Sequence, residues 1–225
     1  MALPAVQAQS SSSNPPTQDQ AQPGPTPQQL TVQARIRARR EQRRANAIRE
    51  AYSHTYEAYT GMGYLRFVPG PSQQRVTLYA WDAGVTRFYN ERLGITVDGR
   101  GYYGTAFVGL NPYGITRPAI SQYAALAGPT YRFYLQPKYS VSGRVMGGFA
   151  HGNFSGDTNG LGAKTLGLYP DANTFAASAS LTGEYNLTPT VGFRLSPEYY
   201  ATGFGSTTQN SLGFTGGIVY RFGKK

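Results

Sequence analysis

The sequence predicts an all-β fold: eight antiparallel strands closed up-and-down into a transmembrane β-barrel, preceded by a disordered N-terminal tail and a basic helix. Three observations predict it. From about residue 58 onward, apolar and polar side chains alternate with period two through eight segments. The connections between those segments alternate short and long, as in a meander with tight turns at one end and loops at the other. Within a segment one parity is oily and the other collects charge. In LGITVDGRGYYG, Leu93, Ile95 and Val97 share one face while Asp98 and Arg100 share the opposite one.

The segments are 59–67, 76–89, 93–103, 123–134, 139–150, 175–185, 191–201 and 212–222. Connections after the second, fourth and sixth are short, around residues 90–92, 136–137 and 186–189. Those after the first, third, fifth and seventh are longer, and the largest run over about 104–122 and 151–174. Gly, Asn, Pro, Ser and Asp dominate there, the residues that tolerate turn geometry.

Ahead of the barrel lie two other zones. Residues 1–30 are read as a signal remnant and tail. MALPAVQAQS resembles the end of a secretory signal, with Val6-Gln7-Ala8 at the cleavage positions. The Ser, Pro, Gln and Gly that follow cannot bury enough surface to order the chain. Residues 31–57 form an Arg-rich arm with no Pro or Gly, expected to be helical. Its arginines are Arg35, Arg37, Arg39, Arg40, Arg43, Arg44 and Arg49, and Ala45, Ile48, Tyr52 and Tyr56 form a modest apolar stripe. Such an arm is a solvated helix or a holder of anionic headgroups or another polyanion.

Composition bounds the rest. The 225 residues include no cysteine, one tryptophan, eighteen tyrosines and twenty-eight glycines, with a formal charge of +10. That excludes a disulfide framework and thiol chemistry. No apolar run is long enough for a membrane-spanning helix, whereas alternating strands hide from any window average.

Sorting each segment by parity gives a lipid-facing set and a lumenal set. The lipid-facing set opens with Gly63, Leu65 and Phe67, continues with Tyr79, Trp81 and Val85, then Leu93, Ile95 and Val97, and ends with Ile218, Tyr220 and Phe222. The lumenal set holds Arg66, Asp82, Asp98, Arg100, Arg132, Arg144, Glu184, Arg194, Glu198 and Arg221. Four acids and six arginines in so narrow an interior are expected to pair, since an unpaired buried charge costs several kcal/mol, on the order of 3–5. Among charges well inside the segments, Arg87 alone falls on the lipid parity, near a turn where it can snorkel.

Residues 58–225 resemble a bacterial outer-membrane β-barrel protein of the eight-stranded, OmpA-type transmembrane class, in a form associated with acidobacterial proteomes. YAWDAGVTRFYNERLGITVDGRGYYG, LAGPTYRFY with VMGGFAHG, and QNSLGFTGGIVYRFGKK carry the resemblance. It implies a bacterial outer-membrane location and contact with outer-membrane lipids. It also implies assembly by the barrel assembly machinery, with Phe222 resembling the aromatic read as the assembly signal, although Gly223-Lys224-Lys225 follow it here. With an even strand number the arm belongs on the periplasmic side, in reach of headgroups, cell wall or a periplasmic protein.

No enzyme, cofactor or metal site is expected. His54 and His151 have no second ligand at metal spacing. His151, Ser155 and Asp157 imitate a catalytic rim, but loop polarity is the stronger reading. GLGAKTLG lacks the spacing of a phosphate loop. The expected function is an outer-membrane anchor or scaffold with a charged, mostly plugged lumen; the alternative is a narrow porin-like channel gated by lumenal Arg and acid pairs. An Arg-rich arm before a β-domain also suits a capsid protein holding nucleic acid, yet a soluble sandwich would not keep charge on one parity through eight segments, and no nucleic acid is expected.

Overall fold

The computed structural model describes residues 27–205 and 207–224, so the signal remnant and most of the tail lie outside the described residues. The chain divides into two units, 1–41 and 42–225. Helix α1 (Pro27–Tyr52) supplies the described part of the first. In the second, the last turns of α1 lead into β1 (His54–Phe67), β2 (Val76–Phe88), β3 (Leu93–Thr105), β4 (Ala119–Leu135), β5 (Tyr139–Asn153), β6 (Ala172–Asn186), β7 (Val191–Thr202) and β8 (Gln209–Lys224).

Each strand pairs antiparallel with the next, and β1 also pairs with β8, closing the barrel. Closure removes the sheet edges that lipid could not hydrogen-bond. Residues 89–92, 136–138 and 187–190 make the short-turn rim; 68–75, 106–118 and 154–171 run over the other. Outward positions are oily: Val97 is 61% exposed, flanked by Leu93 and Ile95. Aromatics gather at both rims, among them Tyr79 and Tyr103 beside the long loops and Tyr131 and Tyr220 beside the short turns.

Two expectations are corrected. The arm was expected to run to residue 57, but α1 stops at Tyr52, where Ser53 N–H donates to Arg49 O, and β1 begins at His54 opposite Lys224. Barrel pairing takes residues 54–58 into the sheet, so Tyr56 stacks on Phe222 at 5.6 Å between centroids. The parity of β1 is also reversed. Leu65 and Phe67 are buried in the lumen, while Met62, Tyr64 and Arg66 face outward. Both parities of the outer end of β1 are apolar apart from Arg66, and the lumen there turns out to be apolar too. Arg66 is therefore a lipid-side residue, not a lumenal one.

The parity of β2 through β8 stands as read. Asp82, Asp98, Arg100, Arg132, Arg144, Glu184, Arg194, Glu198 and Arg221 are all buried in the barrel, and Arg87 is exposed on the outside with its guanidinium 5.7 Å from the Tyr89 ring.

Candidate functional site

With Glu57 in place of Arg66, the lumen holds five buried acids (Glu57, Asp82, Asp98, Glu184, Glu198) and five buried arginines (Arg100, Arg132, Arg144, Arg194, Arg221) among the described residues. The interior is formally neutral. It is layered along the barrel axis.

Nearest the short turns is an ionic layer. Glu57 Oε1 accepts from Arg132 and, at 2.5 Å, from Arg221 Nε; Arg221 Nη2 donates to Glu184 Oε2 at 2.7 Å and its Nη1 to Asn186 Oδ1 at 2.8 Å. Two acids thus share two arginines, with β1, β4, β6 and β8 all contributing. Tyr52 at the end of α1 closes this layer from below. It is 1% exposed, its hydroxyl donates to Gln136 O and accepts from Asn186 Nδ2, and its ring lies 5.0 and 5.2 Å from the Arg132 and Arg221 guanidinium carbons. An aromatic face over a desolvated guanidinium is attractive by about 2 kcal/mol.

The middle layer centres on Tyr59. Its hydroxyl donates to Asp98 Oδ2 at 2.5 Å and accepts from Arg144 Nη1 at 2.8 Å, and Arg194 stacks 3.6 Å over its ring. Neither Arg144 nor Arg194 forms a carboxylate ion pair among the described residues, so Tyr59 couples them to Asp98. Gly84 makes room for that ring: a Cβ there would lie 2.5 Å from the Tyr59 oxygen. Above, Arg100 binds Asp98 Oδ1 at 2.6 Å and Glu198 Oε1. Asp82 stands opposite Arg100 in the ladder, and its Oδ1 has no protein partner among the described residues. The void between the ionic and middle layers measures about 10 Å³, lined by Glu57, Tyr59, Arg132, Arg144, Glu184 and Arg194 among others. That is room for about one water.

The outer layer is mainly apolar, with Gln122 and Thr202 also buried in it. Leu65, Phe67, Leu78, Leu126 and Met146 project from the strands and meet Phe154, Leu166, Leu168, Tyr169 and Phe204 from the loops. Phe67 stacks on Phe154 and meets Phe204 edge-on. The loop side of this plug is stitched down: Tyr169 N–H donates to Pro69 O, and Gln73 Nε2 to Leu166 O. The barrel is therefore closed by oil at one end and by Tyr52 at the other.

The rim residues do not assemble a catalytic set. Ser155 Oγ donates to the Asp171 carboxylate, not to His151, whose Nδ1 contacts Asn173 Oδ1 at 2.8 Å; Asp157 is an exposed turn residue with φ 55. Burial pushes the Asp171 carboxyl up, but the Ser155 hydroxyl, the backbone N–H groups of Phe154 and Ser155, and His151 outweigh it and hold it below the ordinary carboxylate range. Asp171 pins the start of its loop. On α1, Arg35, Arg37, Arg39, Arg40, Arg43, Arg44 and Arg49 are all exposed. Phe222 faces outward at the short-turn rim, 41% exposed.

Members of the lumenal network that escaped the sequence reading include Glu57, Tyr59 and Tyr52. Glu57 was assigned to the arm and Tyr59 stood on the misread parity of β1. The signal that finds Glu57 and Tyr59 is continuity, since extending the alternation of β1 back from Leu65 puts both on one face; Tyr52, at the end of α1, has no such signal.

A closed, antiparallel eight-stranded barrel with an apolar outer belt, aromatic rims, and short turns opposite long loops is a transmembrane β-barrel of the outer-membrane type. Solved structures share the fold. The outer membrane protein OprG from Pseudomonas aeruginosa matches with a TM-score of 0.53 at 10% identity, covering 77% of this chain and 99% of that one. Neisserial surface protein A (NspA) matches with a TM-score of 0.52 at 14% identity, covering 75% and 97%. At such identities the likeness shows the fold. No family model matches the chain, and no curated protein matches it.

Proposed function

We propose that this protein is an anchor in the bacterial outer membrane, a closed barrel that holds long loops on the outer side and its basic helix on the periplasmic side. The observation that carries this reading is the double closure of the lumen, by the apolar plug of Phe67, Phe154 and Phe204 above and by Tyr52 below. A void of about 10 Å³ between the polar layers does not admit a hydrated ion. The ion-paired members of the buried charge set act as a scaffold that ties strands together: Arg100 joins β3 to β7, and Arg132 and Arg221 join β1, β4, β6 and β8.

The exposed Arg43, Arg44 and Arg49 suit anionic partners on the periplasmic side: lipid headgroups, cell wall or an acidic protein surface. Phe222 is proposed as the aromatic that assembly machinery reads. Single-channel conductance of the refolded protein in a planar bilayer tests the anchor reading, with heat-dependent gel mobility as the folding control. A folded, silent barrel is the expected result. Discrete, reproducible openings would replace the anchor with a narrow channel gated by the lumenal arginines.

A further inference from the structure

The corrected parity of β1 exposes a site on the outside of the barrel. Arg66 stands opposite Thr77 of β2 on the lipid-facing side, and Arg75, the last residue of the connection before β2, is exposed two positions before Thr77. Each arginine is one position from the last β1–β2 pair, Phe67 with Val76. The bonds from Ala106 N–H to Pro118 O and from Val108 N–H to Thr116 O extend the β3–β4 ladder past the rim and set Arg117 opposite Phe107. Arg66, Arg75 and Arg117 are all exposed, and none of their side chains has a hydrogen bond or ion pair among the described residues. Just below them Tyr64, Tyr79 and Tyr103 form a belt across β1, β2 and β3, with Tyr64 opposite Tyr79 and Tyr79 opposite Tyr103.

The surrounding chain carries no counter-charge of its own. Residues 61–81 and 99–131 contain no Asp or Glu. The acids on the long-loop side, Asp157 and Asp171, lie on the connection between β5 and β6. Three unpaired guanidinium groups directly above an aromatic belt sit at headgroup depth, where an arginine is tolerated on the lipid face. Mutual repulsion there is relieved by an anion, and guanidinium matches phosphate oxygens with two parallel hydrogen bonds.

We propose that the long-loop rim of β1–β4 is a binding site for a phosphorylated anionic lipid headgroup, held by Arg66, Arg75 and Arg117 with its chains against Tyr64, Tyr79 and Trp81. This rests on the membrane-barrel reading. It names one face of the barrel and one headgroup chemistry, which that reading does not.

Trp81, the single tryptophan, lies on the same outward strand face and is 39% exposed, so it reports the lipid at this patch. The experiment places the full chain in phosphatidylcholine bilayers and compares quenching of Trp81 by brominated phosphatidic acid and by brominated phosphatidylcholine. Phosphatidic acid is expected to be preferred by at least about fivefold, roughly the effect of one basic residue at a charged surface. In the triple variant Arg66→Gln/Arg75→Gln/Arg117→Gln the preference should fall to about one, with heat-dependent gel mobility unchanged; single variants follow if the triple does not fold. Changing Arg43, Arg44 and Arg49 to Gln should leave the preference intact. Equal preference in wild type and the rim variants overturns the proposal, and so does abolition of the preference by millimolar inorganic phosphate, which would make the ligand free phosphate. Absence of any quenching by brominated phosphatidylcholine would instead sink the membrane reading itself.

Discussion

The two halves of the lumen do opposite things with the same barrel. The half near the short turns is ionic, with Glu57, Glu184, Arg132 and Arg221 cross-linking four strands. The half near the long loops is mainly oil and aromatic rings, including Phe67, Leu78, Phe154 and Phe204. An ionic interior demands a partner for every group, because a single deletion leaves a buried charge behind. An apolar interior demands only that volume be filled. One half is therefore specific and brittle, the other forgiving in chemistry but sensitive to cavities.

Removing one member of the ionic half should have the largest effect. Arg221→Met leaves Glu184 without its arginine and Glu57 with Arg132 alone, and removes the donor to Asn186 Oδ1, so the barrel should lose about 3–5 kcal/mol in urea unfolding from lipid vesicles. Leu78→Ala in the apolar half, at 0% exposure, should cost about 3 kcal/mol through the cavity it leaves. Unlike the first change it creates no buried charge, so added salt should leave its penalty unchanged. Conductance of this variant should stay silent, since Tyr52 still closes the other end.

The next test sets the outside against the inside. Val97→Asp puts a carboxylate into the lipid belt and should destabilise by about 2 kcal/mol. Its neighbour Asp98→Asn should cost about 1 kcal/mol, because Arg100 keeps Glu198 and the amide oxygen still accepts from Tyr59. The reverse order, measured as folded fraction on gels, would mean that the face assignment of β3 is wrong.

The smallest effect belongs to the loop above the plug. The Asp171 carboxyl is held below its ordinary range in the folded protein. Its stabilisation is therefore full above the ordinary carboxylate pKa and disappears as pH falls through the lowered folded value. Proteolysis of residues 154–171 should accelerate only in acid, and Asp171→Asn should show the acid rate at neutral pH. A flat pH profile in wild type would show that Asp171 does not hold the loop.

Much of this architecture was legible. For β2 to β8 the lipid face is apolar and the lumenal face carries at least one charge in nearly every strand, such as Asp98 and Arg100 in β3 or Arg194 and Glu198 in β7. A charge breaks the tie between faces. β1 misled because its outer end passes the apolar plug: Met62 and Tyr64 on one side and Leu65 and Phe67 on the other are equally oily, and the one charge, Arg66, faces outward and not into the lumen. The pairings themselves were out of reach. Tyr59 meets Asp98 across 39 positions, and Glu57 meets Arg221 across 164.

By itself, then, the sequence determined the strand count, the alternation of turns and loops, and the inward face of seven strands, because lipid imposes its preference on each residue locally. Tertiary structure decided which oily face of β1 turns outward, that Glu57 balances the lumen, that Tyr59 joins two arginines to Asp98, and that Tyr52 stops the lower end. Those outcomes depend on closing β1 against β8, which brings the two ends of the barrel sequence into one ladder.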